Sequence, residues 1–145
     1  MVAGVLQFIS DNLTAKFDVP TPADVSPVSL NFLIKWSLAA AQECFVLKGI
    51  AEKTIKDGMV AKLALATGQM YESAKEMAEG LGIGSIYGKV LGAFLVGKAT
   101  YYKSLAQFRK SAEALTANRY GEEISRLNVV SSLTQQKSTQ SFPIN

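Results

Sequence analysis

Apolar residues recur at helical spacing through most of the chain, and no stretch alternates with a period of two for long enough to predict a strand. A short amphipathic helix is predicted at the N-terminus. Its apolar positions are Val2, Val5, Leu6, Ile9 and Leu13. The periodicity stops from Ala15 to Pro27, where three prolines predict a semi-rigid connection.

The longest apolar pattern predicts a helical hairpin from Ser29 to about Glu79. Ser26 followed by Pro27 is a typical helix start, because serine caps a free N–H and proline lacks the N–H that would be unpaired there. A break or tight turn is expected at Asp57–Gly58, between the two arms of the hairpin.

The first arm of this hairpin is apolar on every face. From Ser29 to Ile50, the only charged residues are Lys35, Glu43 and Lys48. A helix without a polar stripe is either buried by other helices or crosses a membrane. We therefore expect other helices to pack against this arm, or part of its surface to be presented to a partner.

Two further helices are predicted, a long one from about Ser85 to Asn118 and a short one from Glu122 to about Leu133. Small and aromatic residues alternate along the long helix in the manner of tetratricopeptide arrays. The predicted fold is all-α, with antiparallel helical hairpins forming part of a tetratricopeptide-like solenoid over residues 1–133. The polar, aperiodic segment 134–145 is predicted to be disordered.

Composition narrows the chemistry that the chain can perform. It contains no histidine and one cysteine, Cys44, which excludes a Ser-His-Asp triad, a Cys-His dyad and histidine- or cysteine-based zinc sites. The net charge is only +3 and the lysines are spread along the chain, so nucleic-acid binding is not predicted. Any catalysis would have to use carboxylates, Lys, Ser or Tyr, and Ser73, Tyr101 and Tyr102 have no visible activating base. We expect a non-enzymatic protein with no cofactor, no metal and no catalytic residue.

The glycine-rich joint invites comparison with a phosphate-binding loop, and the apolar stretch after it with a membrane span. Gly80, Gly82 and Gly84 do not fit the dinucleotide or phosphate-loop patterns, so a joint between helices is predicted instead. The stretch from Leu81 to Gly97 is at the short end for a membrane span and has Lys89 near its middle. A buried helix is predicted, with a small membrane protein as the alternative.

Several stretches, taken in order, resemble one protein family. They are Ala3–Gly4, Asp24–Pro27, Leu38–Lys48, Ala61–Ala64 and Tyr120–Leu127. The third and the last are the most specific, and together they resemble the BRO domain of ALIX-type and PalA-type endosomal adaptors. Because such a domain is more than twice this length, the resemblance implies that the chain, from Val2 to Leu127, holds its middle portion.

The resemblance also implies a function and a site. It implies a cytoplasmic adaptor, recruited to endosomes through its partners, that docks the amphipathic C-terminal helix of an ESCRT-III subunit in multivesicular-body sorting. The partner-binding residues that it implies are Phe45, Lys48, Met59 and Leu63. Apolar anchors one turn apart, with a basic neighbour, suit a helix that lies in a groove.

Three alternatives stay open at this point. Phe45, Met59 and Leu63 could be ordinary core residues, since large apolar side chains are mostly buried, and Lys48 could be an ordinary solvated lysine. The same surface could serve a scaffold of fungal ambient-pH signalling. A generic helical-repeat interaction module with another ligand is the third alternative.

Overall fold

A computed structural model of the protein describes the backbone of residues 1–12, 22–80 and 84–138, and the side chains of these residues except 84–89 and 136–138. The described residues form five α-helices and one short 3₁₀ turn, Ala23–Val25, with no strand among them. The helices are α1 (Val2–Asn12), α2 (Pro27–Ala51), α3 (Asp57–Gly80), α4 (Gly84–Thr116) and α5 (Tyr120–Ser138). The all-α prediction is confirmed.

The hairpin of the sequence pattern is α2 and α3. Ser26 caps α2 as predicted, because its hydroxyl accepts a hydrogen bond from the backbone N–H of Ser29 at 3.2 Å, and Pro27 occupies the first turn. At the other end, the N–H of Thr54 bonds to the carbonyl of Gly49 at 3.3 Å and that of Lys53 to Ile50 at 3.3 Å. This pair of bonds is the Schellman arrangement, which satisfies carbonyls that the last helical turn leaves free.

This C-terminal cap places a lysine in an unfavourable conformation. Lys53 has φ of +53°, where a Cβ crowds the following carbonyl. We expect Lys53→Gly to raise the free energy of unfolding by about 0.5–1 kcal/mol, after allowance for the entropy of glycine in the unfolded chain. Urea denaturation followed by circular dichroism measures the change.

Asn118 is the internal control for this prediction. It caps α4 with φ of +56° through the same pair of bonds, from Asn118 to Leu115 and from Arg119 to Ala114. Asparagine tolerates this region better than lysine does. A gain from Asn118→Gly as large as the gain from Lys53→Gly would contradict the steric explanation.

The core lies where α2 and α4 pack against α3. Its largest fully buried side chains are Tyr71, Tyr102, Phe32, Leu30 and Leu95. The rings of Tyr71 and Tyr102 stack with their centroids 6.2 Å apart, which joins α3 to α4. Alanines fill much of the remaining space, so the helix backbones approach closely.

Helix α2 is covered on only part of its circumference. Its buried residues include Phe32, Ala39 and Val46, whereas Leu38, Phe45 and Leu47 are exposed on other faces. The reason is geometrical, since the helices that pack against α2 in the described structure do not enclose its circumference.

One predicted helix ends later than expected, and three predicted segments lie wholly or partly outside the described residues. Helix α5 continues to Ser138, beyond the predicted end at about Leu133, so the first residues of the predicted polar tail are helical. Residues 139–145, the connection over 13–21 and the glycine-rich joint over 81–83 lie outside the described part of the chain. The prediction of a disordered tail is therefore not tested beyond Ser138.

Candidate partner-binding site

Phe45 lies on the open side of α2. Its side chain is 56% exposed, while Val46 beside it is fully buried in the core. Successive residues of a helix point about 100° apart, so this contrast places Phe45 outside the α2–α3 contact. The interpretation of Phe45 as a core residue is wrong.

The two predicted residues on α3 differ in exposure. Met59 is 50% exposed, whereas Leu63, one turn further along, is partly buried and packs against the core cluster that contains Val46. Leu63 therefore joins the core to the surface, and Met59 extends the same face into solvent. The core interpretation holds in part for Leu63 and fails for Met59.

The register of the hairpin indicates how Phe45 and Leu63 are placed relative to each other. The ammonium Nζ of Lys35 donates to the hydroxyl Oγ of Ser73 at 3.3 Å. Lys35 is ten residues before Phe45, and Ser73 is ten residues after Leu63. Because the two helices of a hairpin run in opposite directions, Phe45 and Leu63 lie at the same level along it.

Lys48 is the basic residue of the predicted site. It follows Phe45 by three residues, so it lies on the same face of α2, and its side chain is 72% exposed. Its only salt bridge in the described structure is a loose one to Glu52, at 3.8 Å between Nζ and Oε1. An exposed pair of this kind contributes little, which leaves the ammonium free for another carboxylate.

A partly buried polar cluster lies on the side of α2 that faces away from Phe45. The carboxylate of Glu43, on α2, accepts a hydrogen bond from the hydroxyl of Tyr71, on α3, and pairs at 2.5 Å with the ammonium of Lys98, on α4. Lys98 also lies 5.5 Å from the ring centroid of Phe94. One carboxylate thus connects three helices, two residues away from Phe45.

The electrostatics of this cluster favour an ionised Glu43. Burial alone would raise the pKa of its carboxyl, but the hydrogen bonds from Lys98 and Tyr71 and the charge of Lys98 outweigh that effect. The pKa of Glu43 is therefore lowered from its ordinary value of 4.5. Burial and the carboxylate of Glu43 both raise the pKa of Tyr71, so its hydroxyl stays a donor.

This cluster was missed in the prediction of functional residues. Its signals were a carboxylate on an otherwise apolar arm and a lysine in the apolar part of the third long helix. Buried charges are usually paired, which would have indicated that the two meet, but not that a tyrosine of α3 completes the group.

The described residues lack two features that other functions would need. They contain no cluster of three acidic or cysteine side chains that could hold a metal. A cleft of about 150 Å³ between α3 and α4 is lined by Lys103, which Glu72 already neutralises at 2.6 Å. No helix in the described part of the chain is long and apolar enough to span a membrane.

An all-helical hairpin solenoid with exposed apolar side chains is typical of one class of protein, the helical protein-interaction modules. Comparison with known proteins places the chain within that class. A model of the BRO1-like domain matches residues 1–143, and the chain belongs to this family. The predicted family is confirmed.

Two relatives from Neurospora crassa illustrate the similarity. The pH-response regulator protein palA/prr-1 is 35% identical over 129 residues, which cover 86% of this chain and 14% of that protein. The vacuolar protein-sorting protein bro-1 is 32% identical over 143 residues, 97% of this chain and 14% of that protein. The chain thus spans about one seventh of the length of these relatives.

Among solved structures, the complex of ALIX BRO1 with CHMP4C has the same fold. The match has a TM-score of 0.84 at 26% sequence identity and covers 94% of this chain and 37% of that chain. The prediction of a BRO-type helical fold is therefore confirmed over nearly all of the chain.

Proposed function

We propose that this chain is a non-enzymatic adaptor module that docks the amphipathic C-terminal helix of an ESCRT-III subunit and links it to endosomal multivesicular-body sorting. Phe45, Met59 and Leu63 are the apolar anchors, and Lys48 pairs with a carboxylate of the partner helix. The protein acts in the cytoplasm and reaches endosomes through this partner.

The half-exposed ring of Phe45 carries the proposal. The ring of Phe45 is 56% exposed beside the fully buried Val46, so its apolar surface is available to a partner, and covering it would be favourable. Met59, on α3, is exposed to a similar degree and lies one turn from Leu63. Because Leu63 lies level with Phe45, on α2, both helices contribute to the apolar surface. This is the arrangement that an amphipathic helix requires. The similarity to ALIX BRO1, solved with CHMP4C, supports an ESCRT-III subunit as the partner.

Replacement of Phe45 by aspartate tests the proposal. We expect Phe45→Asp to weaken binding of a labelled ESCRT-III C-terminal helix peptide at least tenfold, since the partner loses an apolar contact and meets a new negative charge. Fluorescence anisotropy measures the dissociation constant. The helical circular dichroism spectrum should be retained, because the side chain already contacts water.

Leu47→Asp is the matched control. Leu47 is two residues away on the same helix, is 44% exposed, and points about 200° around the helix from Phe45. Its variant should bind the peptide like the wild type. Equal loss in both variants, or wild-type affinity in Phe45→Asp, would refute the proposed site.

A second function is favoured by the similarity to the pH-response regulator palA/prr-1. In this candidate the same surface serves a scaffold of fungal ambient-pH signalling. Overproduction of the chain in Neurospora crassa should compete for the partner helix. Impaired growth at alkaline pH would favour the signalling function, missorting of vacuolar cargo would favour the sorting function, and Phe45→Asp should abolish either effect.

A further inference from the structure

We propose that a second copy of this chain packs against the outer side of α5, so that two copies form a twofold dimer. The surface consists of exposed large apolar side chains on one side of the α4–α5 pair and is called the α5 face below. Its members are Phe108 and Leu115 on α4 and Tyr120, Ile124 and Leu127 on α5. The inference goes beyond the proposed function, because it concerns a different pair of helices from the one that carries Phe45.

The apolar side of α5 points away from the protein. Ile124 is 60% exposed, and Tyr120 and Leu127, one turn to either side of it, are exposed as well. The side of α5 that meets α4 is in part charged, since the guanidinium of Arg126 donates to the amide oxygen of Gln107 at 2.9 Å. An amphipathic helix normally buries its apolar stripe. The reversed arrangement in α5 indicates that another surface covers this stripe.

Exposed residues of α4 continue the apolar stripe of α5. Gln107 and Arg126 face each other across two antiparallel helices, so one step forward along either helix turns toward the same side of the pair. Phe108 and Leu127 are these next residues, and both are exposed. Leu115 follows Phe108 by seven residues, two helical turns, and therefore lies on the same side. The two helices thus form one continuous apolar surface.

The size of the α5 face is sufficient for a dimer. A large aromatic side chain presents about 150–250 Å², so five half-exposed apolar ones leave about 500 Å² in water. Homodimer interfaces are about 65% apolar, which makes this the apolar share of about 800 Å² per partner. This is the area that a stable protein–protein interface buries.

The arginines beside the α5 face are already neutralised. Glu122 pairs with Arg119 at 2.7 Å and with Arg126 at 2.8 Å. An acidic partner helix would therefore gain no new ion pair from either arginine. A second copy presents the same apolar surface and needs none, which favours it as the occupant.

Twofold pairing also suits the order of residues along α5. An axis between Ile124 and Leu127 packs each of these residues against the other's counterpart in the second copy. Glu123 then lies opposite Asn128, whose amide can donate to its carboxylate. Because a twofold interface uses the same surface on both copies, association stops at the dimer.

Sedimentation of the whole chain tests the dimer. We expect the wild type to dimerise between about 1 and 100 µM. Ile124→Asp should raise the dissociation constant about tenfold or more, since a carboxylate would be buried at the axis. Val129→Asp is the matched control. Val129 is an exposed apolar residue of the same helix, but it points about 200° around the helix from Leu127, so its variant should dimerise like the wild type.

A mixture of two variants tests the twofold arrangement itself. Leu127→Lys should be monomeric on its own, as Ile124→Asp should be. An equimolar mixture of the two should dimerise again, because the introduced carboxylate meets the introduced ammonium on one side of the axis and the wild-type apolar pair meets on the other. Helical circular dichroism spectra of the separate variants confirm that each is folded.

The outcomes separate this inference from the proposed function. A monomeric wild type at about 100 µM would overturn the dimer and leave the α5 face to a different partner. Equal dissociation by Val129→Asp, oligomers larger than a dimer, or a mixture that stays monomeric would also overturn it. Phe45→Asp should leave the dimer intact, and Ile124→Asp should leave the affinity for the ESCRT-III peptide unchanged, so the two proposals fail in different measurements.

Discussion

Replacement of Glu43 by alanine is expected to lower the free energy of unfolding by about 2–3 kcal/mol. The carboxylate accepts from Tyr71 and pairs with Lys98, so its removal leaves a buried hydroxyl and a largely covered ammonium without their partner. Breaking a fully buried pair costs about 3–5 kcal/mol, and the 31% exposure of Lys98 lowers this value. Urea denaturation measures the change.

Glu52→Ala is the control for this prediction. Glu52 also pairs with a lysine of α2, but the two side chains are 52% and 72% exposed, with 3.8 Å between their charged atoms. Exposed i,i+4 pairs of this kind contribute about 0.3–0.5 kcal/mol. Equal destabilisation by the two substitutions would show that the position of Glu43 between three helices does not increase its contribution to the free energy of unfolding.

The pH dependence gives a second measurement of the same group. The folded pKa of Glu43 is below the unfolded value, so the carboxylate contributes stability above about pH 4.5 that is lost as the pH falls through the folded pKa. The difference in unfolding free energy between the wild type and Glu43→Gln should therefore have its largest value near neutral pH. It should shrink as the pH falls below 4.5. A difference that grows in acid would contradict the ionised state.

The helices themselves could be predicted from the sequence because their signals are local. The start of α2 follows from Ser26 and Pro27, and its capping bond is present. The end of α5 was predicted too early. Thr134 and its neighbours are polar, so no apolar period indicates that the helix continues there.

The exposure of particular residues could not be predicted, because it depends on which helices are neighbours in space. The sequence of α2 is apolar all round, and nothing in it distinguishes Val46, fully buried, from Phe45, half exposed. Only the family resemblance indicated Phe45 as a surface residue. The Glu43 cluster is non-local in the same way, since Lys98 is 55 residues further along the chain.

Replacement of Gly68 by valine is expected to destabilise the protein by about 2–3 kcal/mol, as overpacking of a dense interface does. A Cβ at Gly68 would lie 3.1 Å from the carbonyl oxygen of Ala99 and 3.2 Å from the backbone nitrogen of Lys103. Backbone atoms in the middle of α4 cannot move aside individually. Valine adds two more carbons to this contact, so α3 and α4 must separate along their packed length.

Gly92→Val is the control, because it makes the same chemical change where there is room. Gly92 is within α4, and a Cβ there would meet nothing within 4 Å. Valine has a higher helix propensity than glycine, so this variant should be neutral or slightly more stable. If Gly68→Val were also neutral, the close approach of α3 to α4 would not be a determinant of the fold. If it is destabilising, a glycine on α3 sets the distance at which Tyr71 and Tyr102 stack and Glu43 reaches Lys98.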